Sequence, residues 1–235
     1  MPATFEEFAE RIDLPLVAPE RSAAEVWAGL ELAKAHRLGA VLVRPCDLDA
    51  ALRGLAGATT RVAVVAGFPH GTQNTATKLY EVRDLVRRGA REIALVVGTA
   101  QLRSREFQHV QTELVQAVEA CHNSGARLTA ILECAHLTDE LKVVAARAVE
   151  RAEADSVATG TGFAPVPGGL DAVLQDVALL RRNLPEETGV DAVATVTGID
   201  QLTSLCAAGA TSVQTAIAAI LEEHAASQSR DRKKL

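Results

Sequence analysis

The chain has 235 residues, 48% of them hydrophobic, and a formal net charge of −6 at pH 7. That length supports one domain with a sizeable core, and an acidic balance without a basic face excludes a nucleic-acid footprint. Aromatic residues make up only 3%, so the core has to be built from Ala, Val, Leu and Ile. No apolar run approaches the roughly 18 residues that a membrane span needs. The segment from Met1 to Arg11 contains Glu6, Glu7 and Glu10 and no apolar core, unlike a signal peptide. Cys46, Cys121, Cys134 and Cys206 form no C-x-x-C pair, which argues against a disulfide framework or a zinc site and for a reducing, cytoplasmic setting.

In chain order, Thr4-x-x-Glu7 and Ser22-x-x-Glu25 each have the form of a capping box and predict helices over 4–10 and 22–38. Between them, 12–17 reads as a strand in which Pro15 suits an end. Strand and helix then alternate. Strands are expected at 40–44, 61–67, 92–97, 127–133, 156–159, 192–196 and 212–215. Helices are expected at 47–55, from 75 to about 88, and at 106–123, 138–151, 170–183, 199–208 and 216–226. Gly39, Gly89, Gly125 and Gly209 punctuate helix ends before strands. Eight strands, each followed by a helix, with one further helix in front, predict a single (β/α)8 barrel over residues 1–226 with its active site at the C-terminal strand ends. The competing arrangement is an open doubly wound sheet, but no G-x-G-x-x-G follows the first strand. Residues 227–235, ending Arg232-Lys233-Lys234-Leu235, read as a charged, solvated and disordered tail.

The most informative stretch is Ser156-Val157-Ala158-Thr159-Gly160-Thr161-Gly162-Phe163, a β-branched run opening into Gly and Thr. It resembles the Val-Lys-Thr-Ser-Thr-Gly-Phe signature of the deoxyribose-phosphate aldolase family. Further segments follow in the same order: Ile12-Asp13, Gly67-Phe68-Pro69-His70-Gly71, Ile131-Leu132-Glu133 with Leu137-Thr138-Asp139-Glu140, and Ala208-Gly209-Ala210-Thr211. The resemblance implies the family's barrel and often a homodimer. It also implies a chemistry whose residues are not here. The Schiff-base Lys position reads Ala158, the catalytic Asp position Ala94, the pKa-setting Lys position Ala194, and a Lys placed near the end of the fifth strand reads Thr129. The phosphate-binding Gly run is similar to Gln214-Thr215-Ala216-Ile217-Ala218, in which side chains occupy space that glycines leave to a phosphate.

A Schiff base needs an amine of lowered pKa. Of the five lysines, Lys34 and Lys142 fall on predicted outer helices, Lys233 and Lys234 in the tail, and Lys78 one turn into a helix. The remaining candidates are Glu133, Asp13 and His70 as acid or base groups and Arg44 as a bidentate clamp for a carboxylate or phosphate. Thr129, Thr159, Thr161, Gly162, Thr195 and Gly198 are the other expected substrate contacts. Each has a plainer reading: Glu133 as a structural carboxylate, Arg44 as a rim ion pair, His70 as a solvated loop residue. Cys134, among apolar neighbours, reads as a buried inert thiol. Glu133-x-x-His136 is a single weak pair, so no metal is expected, and no cofactor. Two function classes follow: a reused pocket, widened and made less charged by Ala94, Ala158 and Ala194, running non-covalent acid/base chemistry on a small molecule; or an inactive barrel serving as a structural or regulatory partner.

Overall fold

The computed structural model describes residues 4–222. Eight parallel strands close on themselves in sequence order: β1 (Ile12–Pro15), β2 (Ala40–Val43), β3 (Arg61–Ala66), β4 (Glu92–Val96), β5 (Arg127–Ile131), β6 (Ser156–Ala158), β7 (Gly189–Val193) and β8 (Ser212–Gln214). Closure comes from β1 pairing with β8, in the register Ile12 to Val213 and Asp13 to Gln214. The open sheet is thereby excluded.

The helices are α1 (Phe5–Phe8), α2 (Ala23–Ala35), α3 (Leu48–Gly54), α4 (Thr75–Arg87), α5 (Thr99–Arg103), α6 (Phe107–His122), α7 (Asp139–Arg151), α8 (Gly169–Arg182) and α9 (Ile199–Ala207). The frontal helix is shorter than expected and ends in a 3-10 turn at Ala9–Arg11. The box at α2 forms: Ser22 N donates to Glu25 at 2.7 Å, and Ser22 Oγ accepts from Glu25 N at 3.3 Å. At α4 and α7 only the first half of such a box forms: the Asn74 and Thr138 side chains accept from the amides of Thr77 and Leu141. Helix α5 had no sequence forecast. Residues 218–222 are helical; the rest of the last predicted helix and the whole charged tail lie outside the described residues.

Gly39 differs from the other three punctuating glycines. Gly89, Gly125 and Gly209 have positive φ, as a helix C-cap favours, but before β2 the left-handed residue is Arg37. Gly39 is needed for closeness instead: its N–H donates to Ala9 and Ile12 carbonyls, and a Cβ there would sit 2.3 Å from the Glu10 carbonyl oxygen.

Alternate strand residues face the lumen, as the period of two requires. The outward set (Val41, Val64, Leu95, Leu128, Val157 and Val213 among them) forms one core with the helices. The inward set is stratified. Near the C-terminal ends, Val17, Leu42, Val65, Ala94, Val96, Ile131 and Ala158 form a separate apolar cluster, with Phe68 and Val193 packed on it. Below it, Asp13, Thr129, Ser156, Asp191 and Ser212 make the lumen polar. No helix among the described residues is long and apolar enough to cross a membrane.

Candidate functional site

Two of the cavities among the described residues lie at opposite ends of the barrel. The mouth cavity, about 580 Å³, is built from segments that follow strands: 17–21 after β1, 161–166 after β6, Ala194 and Thr195 after β7, and Thr215 and Ala216 after β8. The C-terminal face is where barrels of this architecture assemble their sites. The walls are mostly apolar, with Phe163, Leu170, Val173 and Val193, and Arg21 is the one charged side chain among the lining residues. Its Nε is buried and has no hydrogen-bond partner among the described residues.

Arg44, expected as a clamp, is engaged within the protein. Its Nε donates to Asp47 at 2.6 Å, and its terminal nitrogens donate to the carbonyls of Ala18, Pro19 and Arg21 at 3.0–3.1 Å. Its donors are directed inward, onto the loop after β1. Arg44 therefore positions the segment that carries Arg21.

Glu133 lies two residues past β5, in the left-handed region with φ 52°. It is buried; one carboxylate oxygen accepts from the Thr161 amide at 3.2 Å and from the Thr161 hydroxyl. The other leaves no room for a side chain at Gly160, whose Cβ would be 2.6 Å away. A carboxylate so employed is a latch between the β5 and β6 loops. Adjacent Cys134 is buried, and that burial drives its thiol pKa strongly up, so it is held as the neutral thiol.

The other expected contacts disperse. Thr161, Gly162 and Thr195 line the mouth. Thr159 Oγ1 accepts from the Val193 amide at 2.9 Å and braces β6 against β7. His70 is exposed and lines neither cavity, and Gly198 is the buried N-cap of α9. Thr129 is mid-strand, not near the strand end, and its hydroxyl meets Ser156 Oγ at 2.7 Å in the lumen. Asp13 is also in the lumen, among groups at the N-terminal ends of the strands. Asp13, Glu133 and His70 therefore share no cavity, and the structure does not gather the three into one acid/base set.

The lumen cavity, about 260 Å³, is lined by Asp13, Asp191, Ser156, Ser212 and Gln214 and reaches the N-terminal end between Glu10, Arg61, Arg127 and Glu187. Ala94 and Ala158 line its upper part and belong to the apolar cluster, so the space they leave opens away from the mouth. The expected widening of the mouth is limited to Ala194, which does line it. Asp13 has its pKa raised to about 7, by burial first and then by the charge of Asp191; burial likewise raises Asp191. Gln214 is the one residue common to both cavities among the described residues. Arg21 and Asp191 are site residues that the sequence did not single out, and Gln214 was expected only as a side chain filling the phosphate-binding run. Gln214 and Asp191 carried a signal, a polar side chain two positions from another inward residue on a buried strand; Arg21, in a loop, carried none.

Lys78 is 1% exposed and sits outside the barrel wall, donating to Glu113 at 2.7 Å and to the Val96 carbonyl at 2.9 Å. Lys142 pairs with Asp176 at 2.6 Å and with Asp139, and Lys34 is exposed on α2. Among the described residues, no lysine lines either cavity. Among the described residues, no group of three or more His, Cys, Asp or Glu is arranged to hold a metal ion.

A model of the DeoC/LacD family aldolases matches residues 16–163. The deoxyribose-phosphate aldolase of Thermoanaerobacter pseudethanolicus is 34% identical over 203 residues, spanning 86% of this chain and 89% of its own. That of Streptococcus sanguinis is 33% identical over 204 residues, spanning 87% and 90%. Of solved structures, the aldolase QR15 superposes with a TM-score of 0.83 at 26% identity, over 92% of this chain and 95% of its own. The tetrameric deoxyribose phosphate aldolase from Aeropyrum pernix gives 0.77 at 24% identity, over 89% and 87%.

Proposed function

Because this chain belongs to the DeoC/LacD aldolase family, we propose that its barrel keeps the C-terminal mouth as a ligand site without the family's covalent chemistry, and binds a small molecule that joins one anionic group to an apolar body. Arg21 carries this reading. A buried guanidinium nitrogen left without an acceptor is costly, and a carboxylate or phosphate oxygen entering the mouth would satisfy it with a charge-assisted bond. The apolar walls suit the rest of such a ligand.

A Schiff-base aldol reaction needs an amine beside the bound carbonyl. Ala158 stands at the strand position where the family signature has Lys, and the lysines nearest the barrel are committed to Glu113, Asp139 and Asp176. Among the described residues, those lining the mouth include no carboxylate, imidazole, thiol or amine. That favours ligand binding over the acid/base turnover that the sequence also allowed. The tetramer named for the Aeropyrum relative makes a homo-oligomer the expected state of this chain.

The test has two arms. Borohydride reduction with deoxyribose 5-phosphate is expected to leave the protein mass unchanged; a mass gain on any lysine would refute the non-covalent reading. Calorimetric titration with short alkyl and aryl carboxylates is expected to find binding that Arg21→Gln weakens about tenfold, the loss of roughly one charge-assisted bond. Equal binding by wild type and variant would remove Arg21 from the site.

A further inference from the structure

We propose that the lumen cavity is a second ligand site, separate from the mouth, and that it takes a small primary ammonium compound bearing a hydroxyl on a short carbon chain. The charge of the cavity asks for a cation. Asp13 and Asp191 face it from β1 and β7, and Ser212, between them on β8, donates to Asp191 at 3.1 Å. Asp13 Oδ1 is buried without a hydrogen-bond partner. The nearest positive group, Arg61, makes only a long ion pair with it, Nη2 to Oδ1 at 4.0 Å, while its Nη1 and Nε bind Glu92 at 2.8 Å and the Gly39 carbonyl at 3.2 Å. An ammonium would supply the missing charge together with three donors.

Gln214 is the independent observation. It is 8% exposed, it is the register neighbour of Asp13 across the closing strand pair, and its Nε2 has no partner. A donor without a partner beside a carboxylate oxygen that accepts no hydrogen bond calls for a ligand that also presents an acceptor oxygen. Above the polar layer, Ala63, Ala94, Ala158, Leu42 and Ile131 form an apolar roof against which a methylene or two can rest. The volume corresponds to roughly eight waters, ample for an amino alcohol and some solvent. This site shares no charged residue with the mouth, so it does not rest on the reading of Arg21.

Titration calorimetry with ethanolamine as probe and ethylene glycol as its uncharged counterpart tests the proposal. Ethanolamine is expected to bind the wild type at about pH 8 and several-fold more weakly at about pH 6, because Asp13 gains a proton near neutrality. The charged groups facing Asp13 are Asp191, Glu92 and Arg61, with Glu10, Arg127 and Glu187 at the opening; Asp191, whose pKa burial also raises, changes charge in the same sense. Asp13→Asn should lower affinity at least about tenfold, Gln214→Leu should weaken ethanolamine more than ethylamine, and Arg21→Gln should bind like the wild type. Ethylene glycol binding as well as ethanolamine, pH-independent binding, or unchanged binding by Asp13→Asn would each overturn the proposal. So would the absence of any ethanolamine heat with the wild type, whatever the folding of the variants.

Discussion

At the scale of single residues, the decisive feature is which charged groups already have partners. Lys78 is the clearest case: it is the lysine nearest the β3–β4 side of the barrel, yet its ammonium is locked onto Glu113 and a strand carbonyl. Removing one half of a buried pair strands the other, so Lys78→Ala should cost about 3–5 kcal/mol in urea unfolding, while Lys78→Met combined with Glu113→Leu should recover most of that loss. Asp13 makes a prediction of opposite character. Its carboxyl holds a proton in the folded state up to about pH 7 but releases it in the unfolded chain near the ordinary 3.8. Between those values the native state binds more protons than the unfolded one, so this group's contribution to stability is fully present below about pH 4 and is lost as pH rises to about 7. Denaturation midpoints of the wild type should fall through that window relative to Asp13→Asn, and parallel curves for the two proteins would refute the assignment. From the sequence alone, Asp13 and Glu133 were visible as polar residues in apolar strands. Their neighbours were not, because partners such as Asp191 and Thr161 come from strands distant in the chain.

At the scale of elements, the strands and helices were legible wherever periodicity was clean, and the exceptions have physical causes. β7 runs from Gly189 to Val193, three residues earlier than its composition suggests. Gly189 and Asp191 read as loop residues, yet the lumen requires both: a Cβ on Gly189 would lie 2.8 Å from Ser156 Cβ, and Asp191 accepts from Ser212 and Thr211. Gly189→Ala should therefore destabilise the protein by about 1–3 kcal/mol through overpacking, measured by thermal or urea denaturation; a neutral substitution would mean that the β6–β7 seam yields to the added methyl. The β5–β6 latch makes a parallel case. Glu133→Ala leaves the Thr161 amide and hydroxyl without their acceptor and should cost about 1–3 kcal/mol. Glu133 then acts through the loop that lines the mouth: carboxylate affinity should weaken in this variant without any change in its pH dependence.

At the scale of the whole molecule, eight βα units in order left little choice but closure, and the closed barrel was readable before any coordinate. What the chain order could not disclose was the stratification of the lumen, since Leu42, Val65, Val96 and Ile131 look like ordinary core residues until they are seen facing one another. The homo-oligomer proposed for this chain is checked by light scattering on a sizing column, where it elutes at a multiple of the chain mass and a monomer would contradict it. The apolar layer acts as a bulkhead across a tube, and Gln214 is the panel set into it. A primary amide has one nitrogen and one oxygen at its tip, so half a turn of that panel trades a donor for an acceptor on each side. Two guests at opposite ends that both want the nitrogen must therefore compete for it, and tenancy of one chamber is felt as a weaker grip in the other.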